Sequence, residues 1–228
     1  MRWNERQAKV ESLSYQSIDE LSDEFGLSLP FYPEVYWIGR TIDFDDLGLS
    51  SRLRDEFNDR KTLGLSSYFK DQRVILINKY RRHDIFEEST HFLHLVNSKL
   101  GLQGPLKDVL WRDIFVEMLG FFGARFLGSK AINGYQGDYL MSFYNPESDN
   151  FSFDNGLTLD DNPDSFFYDL IYQQGYALGD ILFFNFINGK LTRREIAKMF
   201  NDDFNNGEDA RQKILKLRER FWPIRVLS

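Results

Sequence analysis

The strand-type segments of this chain lie between residues 34 and 79, and long helical patterns follow from Asp84 onward. The strand segments are rich in β-branched and aromatic side chains, which pack well on a pleated sheet. After Asp84 the apolar residues recur at helical spacing instead. This order predicts an α+β fold with a small sheet in the N-terminal half. The predicted strands are residues 34–40, 65–70 and 73–79, the last two joined as a hairpin by Asp71 and Gln72.

Capping residues and glycines mark the ends of the predicted helices. Residues 17–20 and 192–195 have the form of capping boxes, and Gly26 can end the helix that the first box opens. Gly175 and Gly179 lie inside a helical pattern, where small residues let two helices approach closely. Further helices are predicted at residues 50–61, 84–100, 105–128, 162–188 and 208–220. Residues 129–161 are predicted to form a long loop. We expect all of residues 1–228 to form one domain.

The composition narrows the classes of function. The chain contains 22 Phe, 11 Tyr and 4 Trp, so its core is expected to be built largely from aromatic rings, and this composition argues against global disorder. Its net charge of −7 argues against nucleic-acid binding, which requires a basic surface. The absence of cysteine excludes disulfides, thiolate metal sites and cysteine nucleophiles.

The sequence also predicts in which compartment of the cell the protein is found. Residues 1–6 carry charges without a following apolar run, so we expect no signal peptide. The longest apolar run, residues 181–184, is far shorter than the roughly 20 residues that span a bilayer. We therefore expect a soluble, cytoplasmic protein that does not bind membranes.

All three histidines lie between residues 83 and 94, and two of them, His91 and His94, lie in the helix predicted at 84–100. Glu87, His91 and His94 fall within about 60° of one another around this helix, and Glu88 lies beside them. A carboxylate and an imidazole four residues apart on a helix can bind the same metal ion. The pattern therefore predicts a candidate metal site, with His83 in the loop or the first turn.

The order of these elements resembles the core of a zincin metallopeptidase, and most closely the small gluzincins known as minigluzincins. In that family one helix carries His-Glu-x-x-His, whose histidines bind zinc and whose glutamate is the general base, and a glutamate on the next helix is the third ligand. The resemblance covers about residues 15–130, and residues 131–228 follow as a loop and helical extension. The matching elements are the strand at 34–40, the hairpin at 65–79, the histidine helix at 84–100 and the next helix at 105–127.

The resemblance implies a role for four residues of this chain. Glu88 matches the general base, His91 matches the second metal ligand, and Glu117 matches the third ligand. Glu87 stands where the family has its first histidine ligand. The expected ligand set is therefore Glu87, His91 and Glu117, with Glu88 as the catalytic residue.

The glutamate at position 87 changes the expected chemistry. Zinc accepts carboxylate oxygen, but two negative ligands reduce the field that acidifies a bound water, and they suit Mn²⁺ or Fe²⁺ better than a histidine-rich set does. We therefore expect a catalytically impaired or inactive metallopeptidase homologue with a weak or altered site for zinc or another divalent metal, and a peptide or protein partner. The alternative is a metal-free structural or protein-binding module on the same fold.

Structural interpretations of the same residues stay open. Asp84 and Glu87 fit a capping pair at the helix start. His91 fits a buried histidine that is hydrogen-bonded to a neighbouring carboxylate, and Glu117 fits a structural ion pair. His94 is expected near the site as a helix-face residue rather than a ligand.

Two further residues lie near the candidate metal site, and a second kind of metal site shares part of its residue spacing. Glu88 fits a solvated helix residue as well as a functional one, and Asp113 lies one turn before Glu117 on the same helix face. The Glu88-x-x-His91 spacing also occurs in di-metal carboxylate bundles. Those sites need a second Glu-x-x-His on another helix, and no other predicted helix contains a histidine.

Overall fold

The computed structural model describes residues 3–38, 67–69, 73–78, 80–98, 106–130, 163–202, 204 and 207–221. Helices accompany a small sheet in this part of the chain, which confirms the α+β class in general. In chain order the elements are α1 (Trp3–Phe25), β1 (Glu34–Trp37), β2 (Ser67–Phe69), β3 (Val74–Ile77), α2 (Arg82–Asn97), α3 (Leu106–Lys130), α4 (Pro163–Ile187), α5 (Arg193–Phe200) and α6 (Gly207–Phe221).

Helix α1 is one continuous helix, so the predicted capping box at residues 17–20 is wrong. The Ser17 hydroxyl instead donates to the Leu13 carbonyl at 2.6 Å, a bond within the helix. The helix begins well before Ser17. Val10, which lies more than a turn earlier, is buried and belongs to the apolar face of α1. The predicted end is confirmed: Gly26 has a φ of +63°, which glycine adopts without strain.

The sheet has the strand order β1-β3-β2. Strand β3 is central and fully buried, as its apolar sequence predicts. β2 pairs with it antiparallel, which confirms the hairpin pairing, and β1 pairs with it parallel, with Glu34 opposite Val74. β1 ends at Trp37 rather than at residue 40. Of the predicted strands, residues 39–40, 65–66, 70–72 and 79 lie outside the described residues, as does the helix predicted at 50–61.

Helix α2 is the central helix, in contact with α1, α3, α5 and the strands β2 and β3. It begins at Arg82 and ends at Asn97, close to the predicted 84–100, and ten consecutive residues from Ile85 to His94 are buried. Because several elements cover it, the polar residues in this stretch are largely removed from water, as the apolar ones are. Any charged group here requires a partner inside the protein.

Helices α3 and α4 pack at very short range, as the glycines of α4 predict. A β-carbon placed on Gly175 would overlap the β-carbon of Glu117, and one on Gly179 would lie 2.8 Å from the Met118 carbonyl oxygen. Arg125 of α3 and Asp180 of α4 form a largely buried ion pair at 2.7 Å across the same interface. The two glycines thus bring the backbone of α4 against the part of α3 that carries Glu117.

The C-terminal helices follow their sequence signals closely. The capping box at Thr192 is confirmed, with its hydroxyl accepting from the Glu195 amide and the Glu195 carboxylate accepting from the Thr192 amide.

Helix α3 runs to Lys130, past the predicted stop at Gly128, so residues 129–130 are helical and residues 131–161 lie outside the described part. Within the described residues, no helix is long and apolar enough to cross a membrane.

The aromatic core is confirmed. Phe25 of α1 contacts rings from three other helices at centroid distances of 5.1 to 6.2 Å: Phe122 and Phe126 of α3, Phe186 of α4 and Phe200 of α5. These rings fill the space between α1 and the C-terminal helices. That the chain forms a single domain, and that its core is of zincin type, stay predictions.

Candidate metal centre

Two helices bring three potential metal ligands together. Glu87 and His91 lie one turn apart on α2, and Glu117 faces them from α3. One ligand atom from each of the three lies within 4.8 Å of the other two. Glu87 and His91 are only 8% and 7% exposed, and Glu117 is largely buried. The predicted convergence of Glu87, His91 and Glu117 is therefore present in the structure.

Gly120 of α3 makes room for the His91 ring. A β-carbon at this position would lie 2.7 Å from Nε2 of His91 and 2.9 Å from Nδ1, closer than any packed side chain can approach. Gly123, one turn further, similarly faces Thr90, where a β-carbon would lie 2.8 Å from the threonine β-carbon. The absence of side chains at these two glycines lets α2 and α3 approach closely enough for His91 to reach Glu117.

His91 and Glu117 form a buried ion pair, with Nε2 of the histidine 3.6 Å from Oε2 of the glutamate. Burial alone would lower the pKa of His91, but the negative charges of Glu117, Glu88 and Glu87 outweigh it and raise this pKa to about 9. Without a metal, His91 is therefore a cation at neutral pH. The structural interpretation of His91, as a histidine paired with a carboxylate, matches this metal-free arrangement.

Glu87 has a partner that sequence analysis missed. Nε2 of His83 lies 3.3 Å from Oε2 of Glu87, one turn before it on α2. Burial tends to raise the pKa of Glu87, but hydrogen bonding and charge from His83, together with the charge of His91 and the Tyr176 hydroxyl, lower it overall. The spacing of four residues could have identified His83. Nothing in the sequence points to Tyr176, which α4 contributes from a distant part of the chain.

The capping interpretation of Glu87 is wrong. The residue before the helix is Arg81, in extended conformation and with no side-chain capping bond, and Asp84 lies in the first turn instead. Because the helix begins earlier than predicted, Glu87 is no longer at the third position, from which its side chain could reach the cap. It is buried against His83 and faces α3.

Buried polar atoms on α2 within the cluster lack hydrogen bonds. Oε1 of Glu87 and Nδ1 of His91 have no hydrogen-bond partner among the described residues. Buried polar atoms in folded proteins almost always have a partner, and a bound cation satisfies a carboxylate oxygen as well as a hydrogen-bond donor does. The unsatisfied Glu87 oxygen is therefore an observation in favour of a cation, independent of the three-residue geometry.

The other predicted residues lie around this cluster without joining it. Glu88 is buried beside His91, and its charge contributes to the raised pKa of that histidine. His94 lies one turn further along α2, with its ring 5.9 Å from Phe115 and 6.1 Å from Phe200. Asp113 is half-buried on α3. His94 and Asp113 are not members of the three-residue group.

Comparison with known proteins adds no relative to this picture. No protein-family model, curated protein or solved structure matches the chain.

The pKa of His91 predicts a pH-dependent loss when this residue is replaced by alanine. A folded pKa of about 9 against 6.5 for the free side chain stabilises the protein fully below pH 6.5, and this contribution fades as the pH rises through 9. In urea unfolding with chelator present, we expect His91→Ala to cost about 3 kcal/mol more at pH 6 than at pH 10. The neighbouring variant Thr90→Ala should cost the same at both values. An equal loss for His91→Ala at the two pH values would contradict the pairing.

Proposed function

We propose that Glu87, His91 and Glu117 bind a divalent metal ion, and that the chain is a zincin-like metallopeptidase homologue with impaired or lost catalysis. The observation that carries the metal site is the convergence of three ligand atoms within 4.8 Å at a buried point between two helices. The unsatisfied Oε1 of Glu87 supports it. The zincin part rests on the sequence resemblance, and the order of sheet, histidine helix and glutamate helix is compatible with it.

The donor set fits a divalent metal but departs from a catalytic zinc site. One imidazole and two carboxylates suit zinc and the harder ions Mn²⁺ and Fe²⁺. A metal in such a site polarises a bound water and lowers its pKa. Glu87, Glu117 and the adjacent Glu88 counteract that effect with negative charge, and Glu88 is the residue that would accept a proton if catalysis survives. We therefore propose metal binding with little or no proteolysis.

A second candidate, a metal-free structural module, is favoured by the ion pairs themselves. His83 lies 3.3 Å from Glu87, and His91 lies 3.6 Å from Glu117, so each carboxylate has an imidazole beside it. Burying a charge is tolerated when it is paired in this way. The two candidates differ in one respect: a metal must displace the proton of His91, whereas the structural module keeps it.

Calorimetric titration of the metal-free protein with Zn²⁺ and with Mn²⁺ separates the two candidates. We expect one ion per chain, and we expect Glu117→Gln to weaken binding at least tenfold because it removes a charged ligand. Glu219→Gln is the matched control, since Glu219 is exposed on α6, and it should bind as the parent does. Equal affinity in the parent and in Glu117→Gln, or no binding in either, would contradict the metal site and leave the structural module.

A further inference from the structure

The two oxygens of the Glu87 carboxylate have different surroundings. Oε2 lies 3.3 Å from Nε2 of His83. Oε1 is buried without a hydrogen-bond partner among the residues that the structure describes. A carboxylate can bind a metal through one oxygen or through both. At Glu87 the contact with His83 engages Oε2, the Tyr176 hydroxyl also lies near this carboxylate, and Oε1 is the oxygen without a hydrogen bond among the described residues.

Aromatic packing holds the His83 ring in place. Its centroid lies 5.4 Å from that of Phe121, with the rings nearly perpendicular, and 6.4 Å from that of Tyr176. Phe121 and Tyr176 stack on each other at 4.4 Å. These two rings come from α3 and α4, so three helices determine the position of one imidazole. His83 is thus packed in place beside Glu87, with about a quarter of its side chain exposed (23%).

We propose that His83 is a positioning residue of the metal centre, which holds Oε2 of Glu87 so that this ligand binds the metal through Oε1 alone. The inference rests on the proposed function. Metal-binding side chains are commonly oriented by such a hydrogen-bonded outer partner, and losing the partner typically costs 10–100-fold in affinity. His83 acts through Glu87 and does not itself bind the metal.

Titration with Co²⁺ followed by visible absorption tests the role of His83. The Co²⁺ d–d bands weaken as the number of ligands increases, so they report whether Glu87 binds through one oxygen or two. His83→Phe keeps an aromatic ring but has no N–H donor, whereas His83→Gln keeps a donor near the position of Nε2. We expect His83→Phe to weaken Co²⁺ binding by about 10–100-fold and to reduce the band intensity. His83→Gln should restore both properties.

The outcomes distinguish this inference from the proposed function. A merely structural role of His83 would lower the stability of the metal-free protein without changing the affinity for Co²⁺ or the Co²⁺ spectrum. Co²⁺ binding with the same affinity and spectrum in the parent and in His83→Phe overturns the positioning role and leaves the metal site intact. Failure of the parent to bind Co²⁺ overturns the proposed function and this inference together. If His83→Phe does not fold, His83→Leu, which also lacks a donor, replaces it.

Discussion

Replacing Gly120 with alanine is expected to weaken metal binding strongly. The added methyl group would lie 2.7 Å from Nε2 of His91, so the imidazole must leave its place beside Glu117. A ligand displaced in this way no longer converges with the other two, and we expect Zn²⁺ and Mn²⁺ affinity to fall at least 100-fold. Overpacking costs about 1–3 kcal/mol, of which the better helix propensity of alanine offsets about 1 kcal/mol.

A second glycine of the same helix provides the control. A β-carbon at Gly128 would meet nothing within 4 Å among the described residues, so Gly128→Ala should keep the metal affinity of the parent. It should also raise the free energy of unfolding by about 0.5–1 kcal/mol, because alanine favours the helix. Calorimetry and urea unfolding of the two variants measure both quantities. Undiminished metal binding in Gly120→Ala would show that the position of His91 beside Glu117 does not determine the site.

Replacing Glu87 with histidine should increase zinc affinity tenfold or more. The variant has the full His-Glu-x-x-His helix facing Glu117, and it removes one of the two negative ligands. Imidazole is a good zinc donor, and fewer crowded carboxylates make the site less suited to Mn²⁺. We therefore expect the preference for Zn²⁺ over Mn²⁺ to increase together with the zinc affinity. Gain of proteolysis would additionally require a substrate cleft.

The control for this variant is Glu87→Gln, which also removes the charge but adds no imidazole. It should bind both metals more weakly than the parent, because a neutral amide replaces a charged ligand. Calorimetric titration of the three proteins with each ion gives the comparison. Equal and negligible zinc binding in the parent and in Glu87→His would mean that Glu117 is not placed to complete a site, and the metallopeptidase resemblance would lose its support.

The relation between Glu87 and His91 could be predicted from the sequence because helical spacing alone fixes it. Four residues along a helix place two side chains on one face whatever surrounds them. Glu117 could be found only through the resemblance, which assigns a ligand to the following helix. The resemblance predicts a contact shorter than about 4 Å between Glu117 and either Glu87 or His91, and the His91–Glu117 distance of 3.6 Å confirms it.

Features that depend on distant packing could not be predicted. Ser17 fits both a helix cap and a helix interior, and only the buried face of α1, which extends from Val10 to Phe25, decides between them. The prediction of an Asp84–Glu87 capping pair was wrong for a related reason, because the helix begins before Asp84. Tyr176 reaches Glu87 because Gly175 lets α4 approach α3, a contact that requires the three-dimensional fold.

The most direct test of the metal site is anomalous X-ray diffraction from crystals of the protein grown with zinc. We predict one anomalous peak between α2 and α3, about 2.0–2.2 Å from Nε2 of His91 and from a carboxylate oxygen of Glu117, with Oε1 of Glu87 as the remaining protein ligand. Data collected on both sides of the zinc absorption edge identify the ion. A His91–Glu117 ion pair still in place, with no anomalous peak within reach of the three residues, would contradict the proposed metal site.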